Sequence, residues 1–423
     1  MVPFFLSNIF KGKHKNHEYA LALDIGTEVV KALIFKIDDE EGKGIVEGTG
    51  KARQNPGDMA GGAVADITGV IETCEKAISI AENEAGVQPQ QCIIGIAGEL
   101  VKGATTNVCY ERVKPKIKID MPELKNIVQK IQWKAFDKIR QQLAWETGQS
   151  EIDVRLINAS VVDVKIDGYR VTNPLEFQGK EVSISVFNAY APMVHLGALQ
   201  SIASELGLDL LSIVAEPYAV ARCVGMEDAA EFSAIFIDVG GGTTDLAVVR
   251  EGGIEGTKMF ALGGRAFTKR IATELGLSFQ EAERIKIKYS QNSVSLNIAR
   301  RIEKILKSDC EVWLSGIELS LREFSSSDLL PSRILICGGG SKLLGIRRAL
   351  EGRNWVKDLP FAKKPDISFI YPRDVVNIVD ATNQLSNVED VTPMSLANLA
   401  LDIAGEEKVI SSILRRAVRM IQN

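Results

Sequence analysis

The same short phrase stands twice in this chain. Residues 21–35 read LALDIGTEVVKALIF and residues 236–249 read FIDVGGGTTDLAVV. Each is an apolar strand, an Asp, a glycine-rich turn with threonine, and a second apolar strand. A repeat this far apart predicts a duplicated fold with two facing half-sites rather than a local motif. Two such turns facing each other can clamp the phosphates of one nucleotide.

The 423 residues are enough for two or more domains with substantial cores. A formal charge of −5 gives no sign of a nucleic-acid binder. The six cysteines are scattered without a CxxC, which predicts a reduced chain with no disulfide frame or zinc site. No apolar run approaches the ~20 residues that span a bilayer. The start, MVPFFLSNIFKGKHKNH, is apolar first and basic second. A signal peptide has the opposite order, so the expectation is a cytoplasmic chain that is not secreted.

Alternation predicts a hairpin over residues 19–37 with its turn at Gly26-Thr27, and a third strand over 44–52. Helical spacing predicts a helix over 66–85, followed by a short buried strand over 92–97. The texture changes after Gly98. Asp120-Met121-Pro122 opens a helix to about Leu143, with an apolar stripe of Leu124, Ile127, Val128, Ile131 and Ile139. Strands are predicted over 154–157, 161–166 and 182–189, with a hairpin turn at Asp167-Gly168. This stretch reads as a compact αβ insert between two pieces of the first domain. Beyond it come helices over 193–206, from Pro217, and over 263–275, 279–289 and 295–307. A strand over 333–337 ends in a triple glycine, after which Ser341 is expected to cap and open a helix.

Four motifs carry chemistry. In Asp24-Ile25-Gly26-Thr27 the glycine lets backbone approach an anion, consecutive N–H groups form a nest, and the Asp can hold Mg²⁺ through water. A bare DxGT is also an ordinary hairpin turn. In residues 238–245, DVGGGTTDL without its last leucine, three glycines are costly to order. Approach to β- and γ-phosphates supplies the reason, with Thr243 offering a hydroxyl. Asp245 suits structure or metal hydration. Cys337-Gly338-Gly339-Gly340-Ser341 is either a phosphate or ribose edge at a helix start or a tight connection. Glu216, in Ala215-Glu216-Pro217, either orients a water against a γ-phosphate or is a helix-start acid. Glu283 and Lys286 share a helix face, as a grip on ribose and adenine or as a surface pair.

DIGT, AEP, DVGGGTTD, LGG with EAERIK, and ICGGGS, in this order, resemble the actin-like ATPase superfamily, and within it the bacterial division family FtsA. GIAGELVKG resembles that family's approach to its inserted subdomain, NPLEFQGK resembles the NP…G segment within it, and residues 260–290 resemble the helix pair after the second phosphate turn. The likeness covers about residues 19–404. It implies an α/β actin-like ATPase fold of duplicated, ribonuclease H-like domains with an FtsA/SHS2-type α+β insert. The expected division is a tail over 1–17, domain 1 over 18–97 and 188–230, the insert over 98–187, domain 2 over 231–404, and a terminal helix over 405–423. It implies ATP and Mg²⁺ as ligands, with Asp24 and Asp238 as indirect holders of the metal. Gly26, Thr27, Lys31, Gly240, Gly241, Gly242, Thr243, Thr244 and Gly264 are implied around the phosphates. Glu216 is implied as the water-orienting acid, Glu283 and Lys286 as ribose contacts, and Gly338, Gly339, Gly340 and Ser341 as the adenosine loop.

The family also implies self-assembly into filaments on the inner face of the membrane and tethering of the FtsZ ring through the FtsZ C-terminal peptide. In the terminal helix, Val409 to Ile421, the residues Ile410, Ile413, Leu414, Ala417 and Ile421 fall on one face and Arg415, Arg416 and Arg419 opposite, as in a helix lying in an anionic membrane surface. It lacks an aromatic residue and the family's long linker, so a helix docked on its own domain is the alternative. Phe4 to Lys15 is a second candidate anchor or a tail. Two other functions stand beside division: an ATP-binding adaptor of the type IV pilus, similar to PilM, and a small-molecule kinase. A kinase needs a substrate pocket with its own base, and the sequence shows no second site. Turnover of ATP is expected to be slow at most.

Overall fold

The computed structural model describes residues 19–38, 43–99, 101–147, 154–224, 231–324, 329–352 and 354–404. The tail Phe4 to Lys15 and the helix Val409 to Ile421 lie outside these residues.

The chain begins with β1 (Tyr19–Ile25), β2 (Val29–Asp38), β3 (Lys43–Arg53) and the small β4 (Met59–Ala60) and β5 (Ala63–Val64). Helix α1 (Ile67–Ala85) and β6 (Gln91–Ile96) follow. The insert contributes β7 (Lys102–Glu111), α2 (Met121–Thr147), β8 (Val154–Ile166), β9 (Tyr169–Arg170) and β10 (Glu181–Pro192). Then come α3 (Met193–Glu205), β11 (Asp209–Ala215) and α4 (Glu216–Cys223). The second half is β12 (Ala234–Val239), β13 (Thr244–Arg250), β14 (Gly253–Phe260), α5 (Gly264–Leu275), α6 (Phe279–Ser290) and α7 (Leu296–Arg322). It closes with β15 (Arg333–Cys337), α8 (Leu344–Glu351), β16 (Asp366–Phe369), β17 (Ile378–Asp380) and α9 (Val391–Ala404).

Two sheets express the repeat. The first runs β11-β6-β1-β2-β3-β17 and the second runs β16-β15-β12-β13-β14 before continuing as β7-β10-β8-β9. In each, two parallel neighbours lead into the strand that ends in Asp, and an antiparallel hairpin and third strand follow. The duplicated plan expected from the two phrases is therefore what the chain builds. The insert's β7 pairs with β14 at Ala104 and Gly103, so its strands extend the second sheet. Its own core gathers Leu124, Ile127, Val128 and Ile131 of α2 against Val164, Val182 and Ile184. The side chain of Ile139 lies outside the described residues.

Several elements differ from expectation. The two strands predicted over 154–166 are one strand, with irregular register against β10. Helix α7 runs on to Arg322 because its buried stripe continues through Cys310, Trp313, Ile317 and Leu321. Ser341 does not cap a helix. It sits buried in a 3-10 turn, Gly339–Lys342, with Oγ donating to the Gly338 carbonyl at 2.6 Å. Helix α8 starts later, at Leu344, without a side-chain cap. Unforeseen too is the return of the chain to the first sheet: β17 pairs with β3, and α9 packs on β1, β2 and β6.

Candidate functional site

Both Asp-bearing strand ends open on one cleft of about 670 Å³ between the sheets. The first hairpin pairs Asp24 with Lys31 across the β1–β2 register, and Lys31 Nζ reaches Asp24 Oδ2 at 2.7 Å. Lys31 in turn lies opposite Lys51 on β3, whose Nζ meets the fully buried Asp390 at 2.5 Å. Each base on the floor of the first sheet is thus paired with its own acid, Lys31 with Asp24 and Lys51 with Asp390. Burial works against the Lys31 ammonium, but Asp24, with Asp238 and Asp390, holds it above its usual range.

The second hairpin breaks this balance. Its register sets Asp238 opposite Asp245, two buried carboxylates face to face. Like charges opposite each other are destabilising. Burial, then the Asp238 charge, pushes the Asp245 carboxyl well above the usual carboxylate range. Its Oδ2 accepts from Thr243 at 3.4 Å, while its Oδ1 is buried without a partner. Burial raises Asp238 as well, opposed by a hydrogen bond from Thr392 and by the Lys31 charge. Glu216, the first residue of α4, is pushed well up by burial and by the charges of Asp24, Asp245 and Asp238. The site is short of positive charge where the four acids meet.

Glycines set how closely the turns approach. A Cβ on Gly242 would fall 2.5 Å from Thr27 Oγ1, and one on Gly241 would fall 2.6 Å from Glu28 Cγ. The two hairpin turns therefore touch across the cleft, and side chains there would separate the lobes. Gly338 has φ +83°, and a Cβ would fall 2.0 Å from Asp238 Oδ1. Only glycine serves at that position.

The cleft is lined by Asp24, Gly26, Thr27 and Lys31 from the first turn, and by Asp238, Gly240, Gly241 and Thr243 from the second. Gly338, Gly339, Gly340, Ser341, Glu216, Gly264, Glu283 and Lys286 also line it. Glu283 and Lys286 form a buried network, with Nζ of Lys286 at 2.9 Å from Glu283 Oε2, the Gly264 carbonyl and Thr268 Oγ1. Gly242 and Thr244 are not among the lining residues. Thr244 points the other way: its hydroxyl donates to the Leu262 carbonyl at 2.7 Å and accepts from Trp313 Nε1 at 2.9 Å.

Sequence reasoning missed Lys51, Thr392 and the pair Arg347 and Phe369, all of which line the cleft. The Arg347 guanidinium lies 5.6 Å from the Phe369 ring centre. Lys51 carried a signal, since it continues the alternation that sets Lys31 on the same row. Thr392 carried none.

The donor set fits a divalent cation kept in its water shell. The carboxylates converge and one buried oxygen has no partner, yet among the described residues no three acidic, histidine or cysteine side chains form a direct metal cage. Among the described residues no helix is long and apolar enough to cross a membrane.

A profile of the family "Cell division protein FtsA" matches residues 235–390. The cell division protein FtsA of Pseudomonas aeruginosa is 24% identical over 346 residues, covering 77% of this chain and 78% of that protein. FtsA of Bacillus subtilis is 24% identical over 354 residues, with 78% and 76% covered. FtsA of Neisseria meningitidis is 28% identical over 279 residues, with 65% and 62% covered. Among solved structures, one described as "PilM-PilN type IV pilus biogenesis complex" superposes with a TM-score of 0.63 at 18% identity, covering 90% of this chain and 98% of that one. At that identity the likeness speaks for the fold. Motifs, sequence relatives and fold agree: the resemblance to FtsA holds, and the chain has the actin-like ATPase fold.

Proposed function

We propose that this chain binds ATP with Mg²⁺ between its lobes and serves bacterial cell division as an actin-like adaptor. It assembles with copies of itself on the inner face of the membrane and holds the C-terminal peptide of FtsZ. One observation carries the nucleotide reading: the two duplicated Asp–glycine turns meet over a single cleft in which Asp238 faces Asp245. The named relatives support the division role.

In this reading Asp24 and Asp238 would hold the metal through water, and the metal would supply shielding of the phosphate charge. Main-chain amides of the two turns and the Thr243 hydroxyl hold the phosphates. Glu283 and Lys286 hold the ribose, and the loop from Gly338 to Ser341 holds the adenosine. Glu216 would orient water, turnover is slow at most, and the bound nucleotide sets the closure of the lobes. The helix Val409 to Ile421, with Phe4 to Lys15 as a second anchor, meets anionic lipid.

Two measurements test this. Asp238→Ala is expected to weaken ATP binding by roughly tenfold or more in a calorimetric titration, and unchanged affinity rejects the site. Co-sedimentation with anionic liposomes in ATP is expected to bring the FtsZ C-terminal peptide down with the protein, and to fail when residues 409–423 are removed. Retained sedimentation of the shortened chain moves the anchor to the N-terminal segment. A peptide left in the supernatant while the protein sediments rejects the FtsZ tether.

A further inference from the structure

The second residue of α9, Thr392, reaches across the cleft. Its hydroxyl donates to Asp238 Oδ2 at 2.5 Å, and both side chains are buried. The two partners come from opposite lobes. Asp238 lies near the end of β12 in the second sheet, whereas α9 packs on β1, β2 and β6 of the first. The start of α9 is itself fixed. Asn387 and Asp390 form a capping box around the 3-10 turn Val388–Asp390, and Asp390 is fully buried against Lys51. The Gly338 amide donates to the Val388 carbonyl at 3.1 Å.

The Asp238 carboxylate is thus confined on two sides. Gly338 comes so close to Oδ1 that a Cβ there would fall 2.0 Å away, and Thr392 holds Oδ2. A carboxylate that receives a cation's waters must present its lone pairs at set angles, because each of those hydrogen bonds is directional. Outer partners that orient such a group commonly change metal affinity by about 10–100-fold when removed.

We infer that Thr392 is a positioning residue for Asp238, turning that carboxylate toward a hydrated Mg²⁺ from the opposite lobe. The inference rests on the reading of the cleft as a nucleotide site. It places a determinant of metal-dependent affinity outside every glycine-rich turn, in a helix that otherwise belongs to the core of the first lobe. It also makes the metal-dependent share of binding contingent on the lobes being closed, since the donor and acceptor belong to different sheets.

The test is calorimetric titration of the full chain with ATP, once in Mg²⁺ and once in EDTA. Thr392→Val keeps the shape and removes the hydroxyl, Thr392→Ala removes both, and Thr392→Ser keeps the hydroxyl. The Val and Ala variants are expected to lose about tenfold or more of the affinity in Mg²⁺, to keep the affinity in EDTA within about twofold, and the Ser variant to recover the loss. Equal losses in both buffers, or a full Mg²⁺ gain in the Val and Ala variants, overturns the inference. Failure of both variants to fold, read from their thermal transitions, also overturns it, because Thr392 is then a packing residue. Wild-type chain with no affinity in either buffer sinks the nucleotide reading itself, a result distinct from all of these.

Discussion

Glu216 and Asp245 are acids held where charge is costly, and their titration sets a pH dependence. Both carboxyls are raised above the usual range, by burial first and by neighbouring carboxylates next. In the unfolded chain they titrate near the ordinary value of about 4. Folding therefore favours the protonated forms, and this contribution is present at acid pH and lost as pH rises through the folded values. The ligand-free protein is expected to melt at a higher temperature in mildly acid than in neutral buffer on account of these groups. Glu216→Gln and Asp245→Asn should each flatten that slope and raise neutral stability by roughly 0.5–2 kcal/mol; a steeper slope in either variant counts against the charge argument. Thr244 makes the opposite case. Thr244→Val leaves the buried Trp313 indole N–H without its acceptor, which costs about 1–3 kcal/mol, while ATP affinity should stay within about twofold. The sequence made Asp24, Asp238 and the glycines readable because an acid followed by glycines after an apolar strand has few structural uses. It did not separate Thr243 from Thr244. Neighbours in a strand point to opposite faces, and which face meets the cleft is decided by register. Lys51 and Thr392 reach the site only through strand pairing and helix packing set by distant parts of the chain.

The packing of α1 on the first sheet depends on missing side chains. A Cβ on Gly48 would fall 2.3 Å from the Ala81 carbonyl oxygen, and one on Gly50 would fall 1.8 Å from that of Ala77. The helix therefore lies almost in backbone contact with β3, and the small residues Ala77, Ala81 and Ala85 on its inner face make the approach possible. Gly50→Ala is expected to push α1 off the sheet and cost about 1–3 kcal/mol or more, measured by urea denaturation; a neutral substitution would show that the helix can slide without loss. Strands β1 and β2 were legible as apolar runs on either side of a glycine turn, though they are buried on both faces rather than alternating. Helix α1 was legible because its helical spacing holds and its start is marked by Asp66 accepting from the amides of Thr68 and Gly69. Strands β16 and β17 are four and three residues long and carry no period to read. Helix α9 is buried on nearly every side, and its polar positions Thr392, Ser395 and Asn398 are buried with the rest, so which face meets the cleft is decided by packing. Ser341 failed as a helix start because its hydroxyl is used inside the turn, on the Gly338 carbonyl.

The two lobes are joined at the mouth of the cleft by groups from both repeats. Arg265, just inside α5, pairs with Glu28 beside the first turn and donates to the Met59 carbonyl at 2.9 Å. Lys342, after the third turn, meets Glu389 at 2.6 Å. These pairs hold the lobes together but do not offset the mutual repulsion that Glu216 and Asp245 feel from the other carboxylates of the cleft, so closure without a ligand confines like charges. A cation with its phosphates removes that conflict and contacts both repeats at once. Its binding free energy should therefore appear as stability of the whole chain rather than of one lobe. At about 100 times its dissociation constant a ligand adds about 2.7 kcal/mol. Differential scanning calorimetry is expected to show the thermal transition moving up in Mg²⁺–ATP, with the signals of both lobes shifting together. Arg265→Ala should lower the ligand-free transition, since among the described residues Glu28 then keeps only its exposed ion pair with Arg53 at 3.2 Å, yet preserve the upward shift with ligand. Asp238→Ala should lose the shift, while its ligand-free transition balances the lost Thr392 hydrogen bond against the relieved carboxylate repulsion. A ligand shift confined to one of two resolved transitions would mean that the triphosphate is held by a single repeat, and that the duplication does not form the clamp.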